Sequence, residues 1–100
     1  MSVDIRLKAG FFKTQLYSLG VCQNQLILIP KENTELNRII VTANELMSVT
    51  VFKRGSKIVE LEIKTKDTSY IGHTASETNL EELFFTFSGE FGNKLTIVNI

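Results

Sequence analysis

The apolar residues of this chain keep a period of two for most of its length and change, once, to the period of a helix. In the run Ile58 to Thr65, Val59, Leu61 and Ile63 alternate with Glu60, Glu62 and Lys64. A strand sends successive side chains to opposite faces, so this run reads as a strand with one buried and one wet face. Residues 4–9, DIRLKA, alternate in the same way, and Met47, Val49 and Val51 repeat the pattern after an Ala43-Asn44-Glu45 turn. From Leu80 the spacing changes: Leu80, Leu83, Phe84, Phe87 and Phe91 fall at i, i+3, i+4, i+7 and i+11, the apolar stripe of an amphipathic helix.

Further strands are expected at Gln15–Val21, Gln25–Ile29, Arg38–Thr42 and Ser69–His73, separated by turn-forming residues. Cys22, Gln23 and Asn24 are short enough for a hairpin loop, and Arg54-Gly55-Ser56 reads as a second hairpin tip. Leu26, Ile27, Leu28 and Ile29 put apolar groups on both faces, which predicts a strand covered on both sides. Thr78 or Ser76 is placed to cap the helix, and Gly89 and Gly92 to end it. The last run, Leu95 to Val98, is expected as a final strand or a packed tail. The chain is therefore expected to be mainly β: six to seven antiparallel strands in a sandwich or partly open barrel, capped by one C-terminal helix over about residues 77–88.

One hundred residues suit a single domain spanning residues 1–100, and 43% apolar with 22% charged residues is the composition of a globular chain. Eleven basic and eleven acidic side chains cancel, so no overall field draws the molecule to nucleic acid, and no nucleic-acid partner is expected. The start, MSVDIRLKAG, has no long apolar run, and Leu26–Ile29 is far short of the ~20 residues that span a bilayer. Neither a secretion signal nor a lipid anchor is expected. Cys22 and His73 are the only residues of their types, which rules out an internal disulfide and leaves too few ligands for a closed zinc site. A reducing cytoplasm is the expected compartment, and no metal or cofactor is expected.

Catalysis finds little support. His73 follows Gly72 with no nucleophile in a recognisable setting, and Glu81 and Glu82 diverge by about 100° around the helix axis, too far to act as a carboxylate pair. Cys22 reads as a small buried or loop thiol, and GEFG at 89–92 lacks the spacing and lysine of a phosphate loop. The chain is expected not to be an enzyme.

The order of LYSLGVCQNQLILIP, RIIVTANELMSVTVFKRGSKIVELEIKT, DTSYIGHT and ETNLEELFFTF over nearly the whole chain resembles the pleckstrin-homology-like superfold, and within it the GRAM-like and bacterial pleckstrin-homology domains. The helix carries Phe84 and Phe87 where many pleckstrin-homology domains have a tryptophan, and LTIVNI follows it as an addition. Absence of the tryptophan favours the GRAM-like and bacterial members over eukaryotic phosphoinositide readers. The resemblance implies an anion site on the first strands, where Arg6, Lys8 and Lys13 lie around Gly10 without forming a dense basic motif. Lys53, Arg54 and Lys57 make a second basic group at the Gly55 hairpin.

The apolar surplus lies elsewhere. Phe85 is off the helical stripe, Phe11 and Phe12 are consecutive, and Leu95 and Ile97 stand in the tail. These residues suit either a protein interface or a tail folded over the domain's own sheet edge. The leading expectation is a non-catalytic interaction or scaffolding module that binds a protein partner or itself. The alternative is a peripheral binder of anionic membrane lipid through Arg6, Lys8, Lys13 and the Lys53 hairpin.

Overall fold

Each period-two run becomes a strand, because pairing satisfies its backbone groups while alternation sends one set of side chains inward. The computed structural model describes residues 2–8, 13–32, 37–55, 57–74 and 80–100, and of these the side chains of all but Ser2, Leu80, Glu81, Leu83 and Phe84. The elements are β1 (Ser2–Lys8), β2 (Thr14–Cys22), β3 (Gln25–Pro30), β4 (Ile39–Thr42), β5 (Leu46–Arg54), β6 (Lys57–Thr65), β7 (Ser69–Thr74), α1 (Leu80–Phe91) and β8 (Leu95–Asn99), with a 3-10 turn at Gly92–Lys94. The strands form one open sheet in the order β4-β3-β2-β1-β7-β6-β5-β8. The protein is thus mainly β with one C-terminal helix, and it has eight strands among the described residues where six to seven were expected.

Two antiparallel meanders, β1 to β4 and β5 to β7, meet where β1 pairs with β7. The additional strand, β8, lies parallel to β5 rather than antiparallel. A parallel return needs a crossover, and α1 supplies it. Inward-facing Val3, Ile5, Leu7, Tyr17, Leu19, Leu26, Leu28, Val41, Leu46, Val49, Val51, Leu61 and Ile63 form one core with Phe87 and Phe91 of α1. The rings of Phe87 and Phe91, one helical turn apart, lie 6.1 Å from centre to centre.

The helix begins no later than Leu80, and the proposed caps Ser76 and Thr78 lie outside the described residues, as do Gly10, Phe11 and Phe12. Its end differs from expectation: α1 runs through Gly89 and stops at Phe91. Burying Phe91 against the core outweighs the ~1 kcal/mol penalty of a mid-helix glycine. Gly92, with φ near 60°, then takes the left-handed conformation that closes a helix.

Alternation misleads at two places, both in the β5–β6 pair. Leu46 faces Thr65 while Ser48 faces Lys64, and Phe52 faces Glu60 while Lys53 faces Ile58. Met47 and Val59 are the extra residues of two β-bulges, which shift the inward face by one position. Leu46 rather than Met47 is buried, and Val59 is exposed although it alternates with Leu61 and Ile63. The strand at Leu26–Ile29 is covered on one side alone: Leu26 and Leu28 are buried, Ile27 is half-buried, and Ile29 is 50% exposed.

At one corner, three turns and the end of α1 are tied together. The Ala43 amide donates to the Asn24 carbonyl at 2.9 Å, and the Lys66 amide to that of Glu45 at 3.2 Å. The Glu90 carboxylate accepts from the Asn24 amide at 3.0 Å, and the Lys94 ammonium donates to the Ala43 carbonyl.

Candidate functional site

The basic residues fall into two groups with different electrostatics. Arg6 and Lys8 project from the outer face of β1, and each meets a carboxylate: Arg6 with Glu32 at 3.0 Å and Lys8 with Glu60 at 3.7 Å. Lys31 pairs with Asp4 at 3.0 Å on the same face. Alternating signs leave this surface without a positive focus for a phosphate. Lys13 is exposed just ahead of β2.

At the β5–β6 tip, Lys53, Arg54 and Lys57 make no ion pair among the described residues. The tail reaches the same place, since β8 runs beside β5 with Val98 next to Phe52, and the Ile100 amide donates to the Lys53 carbonyl at 2.8 Å. Exposed Ile100 therefore stands beside Lys53, and exposed Ile97 lies further back along β8, beside Val51. Of the three candidate interface residues, Phe85 is 81% exposed and Ile97 is exposed, whereas Leu95 packs partly against the core.

His73 is exposed on β7, beside Arg6 of β1. Cys22 is exposed at the end of β2, not buried. No group of three or more His, Cys, Asp or Glu residues positioned to hold a metal occurs among the described residues.

Sequence reading missed the surface at the other edge. Gln23 and Asn24, with φ of 50° and 63°, form a two-residue turn, the type that closes a tight hairpin. Cys22 and Gln25, which flank it, are the first hydrogen-bonded pair of the β2–β3 ladder. Peptide direction alternates along a strand, so Leu26 and Leu28 bond toward β4, where they face Val41 and Ile39. The Ala43–Asn24 and Lys31–Leu16 bonds, both 2.9 Å, fit the same alternation. Ile40 therefore turns its N–H and C=O away from β3, and β4 ends the sheet. The Ile40 side chain, 44% exposed, lies beside Ile27 and near Ile29 on the outer face. The edge strand itself carries no charge, proline or bulge, the devices that usually block pairing with another chain, and among the described residues only its shortness guards it. The doubled apolar runs Leu26–Ile29 and Ile39–Val41 were the signal for this surface.

Comparison with protein-family models and with curated proteins finds no match to this chain. Among the described residues, no helix is long and apolar enough to cross a membrane.

Proposed function

We propose that this domain is a non-catalytic interaction module that binds protein through the β4 edge and the apolar face beside it. The observation that carries this reading is the coincidence of Ile40 backbone groups that have no partner among the described residues with exposed Ile29 and Ile40 side chains. Main-chain hydrogen bonds supply affinity in strand addition, and flanking side chains supply specificity. Two meanders followed by a core-packed helix support kinship with the pleckstrin-homology-like superfold and its GRAM-like and bacterial members. An exposed, unpaired Cys22 suits a reducing compartment, and we assign the cytoplasm.

A photo-reactive amino acid at position 40, compared with one at exposed position 67, tests the reading in the producing cell. Protein adducts are expected at 40 and not at 67. Absence of any adduct at 40 would overturn it.

A second reading rests on the β5–β6 tip, where Lys53, Arg54 and Lys57 cluster and the amide of exposed Ile100 reaches the Lys53 carbonyl. We propose that this tip contacts anionic membrane surfaces, each cation contributing about 1 kcal/mol. Vesicles rich in phosphatidylserine are expected to retain the protein at low salt, and to lose it at high salt or with Lys53→Glu, Arg54→Glu and Lys57→Glu combined. No retention at low salt ends this reading.

A further inference from the structure

The β4 edge also carries information about its partner. Arg38, exposed just before β4, makes no ion pair among the described residues. Beyond the other end, Glu45 accepts a hydrogen bond from Thr42 Oγ1 at 2.9 Å, which holds its carboxylate at Thr42. The edge therefore reads, in order, a cation, an apolar centre at Ile40, and an anion.

We propose that the occupant of this edge is a second copy of the same chain, paired antiparallel about Ile40; this rests on the interaction reading above and names its partner. A two-fold axis presents the same patch twice, so the edge must complement itself when reversed. Reversal brings positive end to negative end, which a parallel arrangement does not.

The hydrogen-bonding alternation selects the register. Ile40 has both backbone groups directed outward, whereas the outward Thr42 carbonyl already accepts from the Glu45 amide at 3.1 Å. With Ile40 opposite Ile40 of the second copy, the two residues exchange both N–H···O=C bonds as a hydrogen-bonded pair. Arg38 then stands opposite Thr42 of the second copy, on the same face, where Glu45 of that copy is held. Two symmetric Arg38–Glu45 pairs flank the seam. Between them the Ile40 side chains of the two copies meet on the outer face and bury their facing flanks, each with its own Ile27 beside it. The two sheets become one continuous sheet across the axis.

Sedimentation equilibrium of the native chain over about three decades of concentration is expected to pass from one chain mass to two. Ile40→Pro removes the outward N–H and leaves the β3 ladder intact, a placement that proline tolerates on an edge; it is expected to keep the native circular dichroism and sediment at one chain mass. Arg38→Glu or Glu45→Arg alone should weaken the dimer about tenfold, and the two together should recover most of the loss. A native chain at one mass throughout, or a dimer that Ile40→Pro leaves unchanged, overturns the inference. If position 40 still forms adducts with other proteins in that case, the interaction reading stands without self-pairing.

Discussion

Replacing Phe87 by alanine should lower the unfolding free energy by about 3–5 kcal/mol, a large part of the 5–15 kcal/mol typical of a domain this size. Phe87 is fully buried, and its ring connects α1 to the open side of the sheet with Phe91 against it. Removing it leaves a cavity that the strands, held by their ladders, cannot collapse to fill. The melting temperature should fall by at least about 12 °C, since 1 kcal/mol shifts a domain of this length by roughly 4–8 °C. Phe85→Ala is the matched control: the same side chain, two residues away, at the surface. It should change stability by no more than about 0.5 kcal/mol. Equal effects in thermal melts would refute the placement of α1. Phe87→Asp, which puts a charge in the same cavity, should abolish folding.

Gly72→Ala should cost about 3 kcal/mol for a different reason. Gly72 lies between Leu7 of β1 and Leu61 of β6, where the two meanders meet. A Cβ there would come within 2.3 Å of the Arg6 carbonyl oxygen and 2.9 Å of Leu7 Cδ2. The nearer obstacle is backbone, so the β1–β7 seam itself must open. Gly89→Ala, in α1, meets nothing within 4 Å and should instead stabilise the chain by about 0.5–1 kcal/mol. Urea midpoints moving in opposite directions, with faster amide exchange along β1 and β7 in Gly72→Ala alone, would establish the difference. A Gly72→Ala midpoint at or above the native one would refute it.

Much of the fold was legible because local pattern and tertiary role coincide. Leu61 and Ile63 alternate with charged residues and are buried; Phe87 and Phe91 lie on the helical stripe and enter the core. Pattern fails where the backbone inserts a residue: Met47 and Val59 look inward-facing by counting, but bulges carry them out, and a bulge leaves no composition signal of its own. The β8 strand was legible only as an alternative, since nothing in Leu95–Asn99 distinguishes parallel pairing beside β5 from a tail. Of the candidate site, the tip cations were found by clustering. The β4 edge was not, because Ile27 and Ile29 looked like residues covered within one chain. Whether a strand ends a sheet depends on pairing order, which no single segment encodes.

The corner where Glu90 reaches the Asn24 amide and Lys94 the Ala43 carbonyl bears on the route to this fold. These bonds close loops of 66 and 51 residues, whereas each meander forms through short hairpins. Long loops lose more chain entropy on closure, so the corner, like the β1–β7 pairing, should form after the local hairpins, and both raise the contact order. During synthesis the first meander emerges before Val49, Val51, Leu61, Ile63, Phe87 and Phe91, which complete its core, so its apolar face should stay open to wrong partners until they arrive.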